Sequence, residues 1–274
     1  MLQKRKVVVT GLGVLAPNGN TTSEYWKALT AGKSGIGPIE SFDASDLSVR
    51  IAGELKDFDP QSFFDRKELR KLDPFTIYHL VSSEEAIKNS GIDLDKTDGD
   101  RIGVIIGTGI GGIQTLENEH GVFSERGQRR VSPFFVPRFI PNIASGNLAI
   151  KFGLRGPNHT VISACASGTD AIGCAMRTIQ YGDADVMITG GTEASITGLT
   201  ISGFGNIKAL STRNDDPTAA SRPFDAERDG FVLGEGAAAL VLEEEEHAKR
   251  RNAPILAELA GYGATDDAFH IKQP

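Results

Sequence analysis

The chain has 274 residues, of which 39% are apolar and 24% charged, an ordinary balance for a soluble globular protein that excludes a disordered chain and leaves room for one large domain or two small ones. A formal charge of −7 argues against general nucleic-acid binding and leaves only local basic patches open. Two cysteines without a framework of spacings point to a reducing, cytoplasmic setting, and five scattered histidines with neither CxxC nor HExxH argue against a metal site.

Lys4, Arg5 and Lys6 before VVVTGLGVLA imitate the start of a signal peptide, but the apolar run is β-branched, is broken by Gly11 and Gly13, and closes in a Pro-Asn-Gly-Asn turn. No window is long enough to cross a bilayer. Residues 6–10 therefore read as a buried first strand. Gly11-x-Gly13-x-x-Ala16 matches a loose dinucleotide fingerprint, yet the next helix starts only at Thr22, so these glycines are predicted to form a tight strand exit. That helix is stopped by Gly32.

Residues 42–59 read as mixed strand and turn, and the charged segment DRKELRK leads into a helix from Pro74 to about Asn89, ended by Gly91. Within that segment Lys67, Arg70 and Lys71, beside Arg66, form a basic patch on an acidic protein, suited to steering an acidic partner. Residues 101–107 give another strand, followed by Gly107-x-Gly109-x-x-Gly112, the strict fingerprint, with a helix after it. A nucleotide-binding reading requires an acidic residue closing a second strand about twenty residues on. The sequence there is HGVFSERGQRRVSP, and Glu125 lacks that context. Residues 127–141, GQRRVSPFFVPRFIP, are proline-rich and apolar and are predicted to be buried or at an interface, and Arg126, Arg129 and Arg130 make a second basic cluster at their start. A short helix over 142–152 ends at Gly153.

The chain is organised around residues 160–176, TVISACASGTDAIGCAM. The β-branched Thr160, Val161 and Ile162 suit a strand, and Ala171, Ile172, Ala175, Met176 and Ile179 follow at helical spacing, so Cys165 sits at a strand-to-helix elbow. There the unpaired N–H groups of the first helical turn and the positive end of the helix dipole face the sulfur, the setting of a nucleophilic cysteine. Small neighbours leave room for a carbonyl substrate, and the Cys165 N–H is placed to bind an oxyanion. A small buried hydrophobe is the competing reading. Cys174 lies too far along the same helix to pair with it. A strand over 185–189 completes a parallel βαβ unit, which places the cysteine at the C-terminal edge of its strand. Phe204 falls in a predicted glycine-flanked loop, SGFGN, before Lys208; a strand over 234–242, a charged helix over 243–251 and a last strand over 255–262 close the order.

These segments carry a family likeness. VVVTGLGVLAPNGN, GTGIGG, SPFFVP, GLRGPN, SACASGTDAIG, YGDADVMITGGTE, KALSTRN and SRPFDAERDGFVLGEGAAALVLEEEEHAKRR occur in the order in which they stand in the β-ketoacyl-acyl-carrier-protein synthases, and the sequence resembles the elongating type II members. The resemblance implies an α/β, thiolase-like, layered α/β/α/β/α fold of two similar halves, with residues 1–252 as the first half and 253–274 as the first strand of the second. It implies that Cys165 takes an acyl group from acyl carrier protein, that malonyl carrier protein loses carbon dioxide, and that the enolate attacks the acyl-enzyme. It further implies that Ile110 lines the acyl pocket, Phe204 flanks Cys165, and Phe135 reaches the dimer-side end of the pocket of a homodimer. Lys67, Arg70 and Lys71 resemble the carrier-protein docking surface, with Arg126, Arg129, Arg130 and Lys208 as contributors. No cofactor is implied, the GTGIGG glycines being accounted for as a loop at the pocket.

The family completes its site with two histidines, a lysine and a glycine-rich aromatic loop from the second half. His270 resembles a histidine near the substrate tunnel, whereas His79, His120, His159 and His247 match no motif. The expectation is a truncated chain, incompetent for condensation by itself, with apolar surface bared on the scale of an obligate interface. Two other readings stand beside it: a non-catalytic module that binds carrier protein, and an NAD-dependent oxidoreductase using GTGIGG.

Overall fold

A computed structural model describes residues 4–269, so His270 lies outside the described residues. In chain order the elements are β1 (Val7–Leu15), α1 (Thr22–Thr30), β2 (Gly37–Pro38), β3 (Ile51–Ala52), α2 (Arg66–Leu69), α3 (Pro74–Ser90), β4 (Ile102–Gly107), α4 (Ile113–Arg126) and α5 (Phe135–Phe139). There follow α6 (Ile143–Phe152), β5 (Asn158–Val161), α7 (Ser167–Tyr181), β6 (Val186–Glu193), α8 (Gly198–Asn206), β7 (Gly236–Glu244), α9 (Glu245–Arg250) and β8 (Ala257–Glu258).

One mixed sheet runs in the order β5-β4-β6-β7-β1-β8. β4 pairs in parallel with β5 and with β6, so β5, α7 and β6 form the expected parallel βαβ unit with β4 lying between its strands. The alternation of side chains along each strand divides the core in two. Val104, Ile106, Val186, Ile188 and Val241 point to α3 and α6, whereas Ile105, Met187 and Leu242 point to α7. α7 answers with one buried stripe of Ala171, Ala175, Met176 and Ile179. Burying the last two side chains contributes roughly 1.5–3 kcal/mol each in transfer free energy.

Helix ends are set locally. Pro74 stands in the first turn of α3 and Gly91 at φ 62 ends it, as the sequence predicts, and Asp73 caps the helix through the Phe75 N–H. Asp73 is fully buried and also accepts the N–H and hydroxyl of Thr115, which ties α3 to α4. Burial pushes its carboxyl above the ordinary range, against those hydrogen bonds.

Three expectations are corrected. Gly11 and Gly13 do not form a strand exit but lie within β1, because a Cβ there would overlap the Ala86 and Ser82 carbonyls of α3; they let a helix backbone approach the sheet. Phe204 lies in α8, not a loop, because Thr197 caps that helix and its Ile201 packs into a satellite core. The last strand contracts to Ala257–Glu258, which pairs with Val8 and Val9 at the sheet edge. The 127–141 segment carries the short helix α5, and its Phe134 and Val136 are exposed.

Candidate active site

Cys165 stands in a single 3-10 turn, Ala164–Ala166, between the end of β5 and the start of α7, which is the elbow read from the sequence. The hydroxyl of buried Ser167 closes this elbow: it accepts the Ser163 N–H at 2.9 Å and donates to the Ala164 carbonyl at 2.6 Å. Ala164 takes φ 51, a left-handed conformation that costs a non-glycine residue roughly 1–2 kcal/mol and bends the chain so that the cysteine faces outward. Asp170, one turn into α7, accepts the Ser163 hydroxyl and, at 2.5 Å, the Tyr262 hydroxyl. The Ser163 and Tyr262 hydrogen bonds hold the Asp170 carboxyl below its ordinary range.

The start of α7 sits directly on the strand ends. Gly107 and Gly191 are opposite one another in β4 and β6; a Cβ on the first would overlap the Ser167 carbonyl, and one on the second would stand 3.2 Å from the Gly168 Cα. Any larger residue there would lift the cysteine turn off the sheet.

Cys165 is exposed on the wall of a cavity of about 620 Å³, of a size to take a small-molecule ligand. Ile110 and Phe204 line the same cavity, together with Phe231 and Leu233, and the Phe204 and Phe231 rings meet edge to face at 5.3 Å. The structure thus brings together Cys165, Ile110 and Phe204. Phe135 stands on α5, stacked on Phe139 at 5.8 Å, outside the residues that line this cavity. Among the described residues, no histidine or lysine lines it. His79 is buried in α3, and burial lowers its pKa to about 3; His247 reaches Glu243 at 2.8 Å.

Two carboxylates in the cavity wall escaped the sequence reading. Glu193, at the end of β6, accepts the N–H groups of Gly109 and Ile110. Desolvation raises its carboxyl above the ordinary range, against the pull of these hydrogen bonds. Glu235 accepts the Leu55 N–H at 2.9 Å and the Tyr78 hydroxyl at 3.2 Å, and burial raises it as well. The one signal for Glu193 was its place after two glycines at the end of a strand.

Lys67, Arg70, Lys71, Arg126, Arg129, Arg130 and Lys208 are all exposed. Lys67 lies on α2, Arg70 caps that helix, and the Lys71 ammonium lies 5.9 Å from the Phe134 ring, which links this patch to the segment that follows Arg129 and Arg130. Arg126 ends α4, and Lys208 follows α8 at φ 57.

The model of the β-ketoacyl synthase N-terminal domain matches residues 4–248. The chain belongs to the β-ketoacyl synthase family. This β-ketoacyl synthase chain is 50% identical over 273 residues to a 3-oxoacyl-[acyl-carrier-protein] synthase 2 of Coxiella burnetii, and 51% identical over 273 residues to one of Vibrio cholerae. In both comparisons all of the chain is covered, and it spans 66% of the relative's length. Among solved structures, it superposes on a β-ketoacyl synthase from Burkholderia phymatum STM815 with a TM-score of 0.89 at 37% identity, covering 99% of this chain and 67% of that one. A type II polyketide ketosynthase solved in complex with its acyl carrier protein matches with a TM-score of 0.76 at 31% identity, over 94% of this chain and 67% of that one. The α/β fold is therefore the thiolase-like fold of the ketosynthases.

Proposed function

We propose that the protein is a cytoplasmic elongating 3-oxoacyl-acyl-carrier-protein synthase and that these residues form the acyl-accepting part of its site. The observation that carries this reading is Cys165 on an elbow at the strand ends, opening into a cavity that also holds Ile110 and Phe204. In the first step the Cys165 sulfur attacks the carbonyl carbon of an acyl carrier thioester. The tetrahedral oxyanion is met by the Cys165 N–H, the carrier's thiol leaves, and the acyl group remains on Cys165 as a new thioester. Ile110, Phe204 and, further out, Phe135 receive the acyl chain. In the second step malonyl carrier protein loses carbon dioxide, and the enolate carbon attacks the enzyme thioester. Cys165 is released and a 3-oxoacyl carrier protein two carbons longer forms. No side chain lining the cavity is assigned to the decarboxylation.

The NAD reading is disfavoured by the loop itself. The Gly109 and Ile110 N–H groups that a pyrophosphate would need already point at Glu193, whose carboxylate repels a phosphate. Homodimer formation is supported by β5, which ends the sheet as an edge strand with Ile162 exposed just beyond it.

The test is to supply the protein with acyl and malonyl carrier proteins and follow products by mass. The expected result is an acyl group taken onto the protein from the acyl carrier protein; with no histidine or lysine among the described residues lining the cavity, residues 1–274 by themselves are not expected to release 3-oxoacyl carrier protein, and a protein that takes no acyl group removes this reading. Carrier docking is assigned to Lys67, Arg70 and Lys71, with Arg126, Arg129, Arg130 and Lys208 contributing. Reversing the charge of the first three is expected to weaken carrier binding at least about tenfold, with a reduced dependence on salt. Unchanged affinity at moderate salt would place the docking surface elsewhere.

A further inference from the structure

We propose that Glu193 is a positioning residue whose carboxylate holds the loop over residues 108–111, and Ile110 with it, against the cysteine turn, and so sets which acyl groups fit beside Cys165. This rests on the acyl-transfer reading above and deepens it.

β4 and β6 are parallel neighbours that end together, with Gly107 opposite Gly191, and β6 continues for two residues to Glu193. From there the carboxylate reaches over the end of β4. Its Oε2 accepts the Gly109 N–H at 2.5 Å and the Ile110 N–H at 3.2 Å, and its Oε1 accepts the Ile110 N–H and the Thr108 hydroxyl, each at 3.3 Å. Thr108 Oγ1 in turn accepts the Gly111 N–H at 3.2 Å. The loop is thereby gathered around one anion, which a low-polarity cavity wall would otherwise expel.

The loop also touches the nucleophile's turn. A Cβ on Gly109 would stand 2.9 Å from Glu193 Oε2, so the carboxylate would have to shift off the loop to admit it, and 3.6 Å, ordinary contact distance, from the carbonyl oxygen of Ala164, the residue before Cys165. Ile110 follows immediately and faces the cavity that Cys165 and Phe204 share. A short acyl group on Cys165 occupies the near end of that cavity, whereas a longer one must pass Ile110. A displaced loop therefore changes the ratio of long-chain to short-chain transfer, which a uniform loss of folding does not.

Glutamine in place of Glu193 keeps the length but has one acceptor oxygen, and its amide N–H groups would oppose those of the loop. The decisive experiment makes Glu193→Gln and Glu193→Asp in the intact protein and reads them in three ways. Hydrogen exchange of the peptide over 108–111 is expected to quicken about tenfold in Glu193→Gln, while α3 and α7 exchange as before. Alkylation of Cys165 by iodoacetamide, which needs no acyl pocket, is expected to stay within about twofold, whereas the ratio of long-chain to short-chain acyl transfer shifts about tenfold. Glu193→Asp, which keeps the charge, is expected to fall between the two. Unchanged loop exchange together with an unchanged chain-length ratio in Glu193→Gln overturns the proposal, and so does an equal loss at every chain length. If the unaltered protein takes no acyl group at all, the functional reading fails, and the exchange measurement still decides whether Glu193 holds the loop.

Discussion

Replacement of Arg251 by alanine is expected to lower the stability of the fold by about 3–5 kcal/mol, the usual cost of leaving one member of a buried ion pair without its partner. Glu243 is fully buried at the end of β7. It is held by the Arg251 guanidinium, including a 3.0 Å bond from Nε, by the Thr10 hydroxyl at 2.5 Å and by His247 at 2.8 Å. Arg251 also donates to the Ser90 carbonyl at the end of α3, so the pair joins the sheet to both helices around it. Burial alone would raise the Glu243 carboxyl, but the hydrogen bonds from Arg251, His247 and Thr10 outweigh it and bring its pKa to about 2, from 4.5. A carboxylate depressed in the folded state contributes stability that is fully present above 4.5 and is lost as pH falls through about 2. Denaturant titrations should show that loss in the unaltered protein and a flatter acid limb in Arg251→Ala. Combining Arg251→Met with Glu243→Leu should recover most of the difference, since no charge is then left buried.

The second large effect concerns chemistry. Cys165→Ala is expected to abolish acyl transfer, by roughly a thousandfold or more, while the exposed position of the side chain keeps the stability change within about 0.5 kcal/mol. Cys174→Ala should leave transfer intact, because Cys174 lies on α7 within the cluster packed against the sheet, away from the cavity. Loss of transfer in Cys174→Ala with retention in Cys165→Ala would reverse the assignment.

Local features were readable in the sequence. The β-branched run before Cys165 and the spaced alanines after it are neighbours in the chain, so the elbow follows from short-range preferences. The ends of α3 were equally plain, because Pro74 and Gly91 act on the backbone beside them. What escaped depends on distant approach. Nothing near Gly11 and Gly13 announces that α3 will lie against them. Glu193 meets Gly109 across 84 positions of sequence, and no local pattern records that contact. Phe204 misled because its glycine neighbours weigh against a helix, while the Thr197 cap and the packing of Ile201 favour one. The chemistry of Cys165 came from ordered family motifs, since the elbow alone also suits an inert buried thiol.

The most direct measurement is peptide mapping of the unaltered protein after brief exposure to an acyl-loaded carrier protein. One hydroxylamine-labile acyl group on the peptide that contains Cys165, and none on Cys174, is the expected result. An acyl group at another residue, or none on any peptide, would contradict the assignment of Cys165 as the nucleophile.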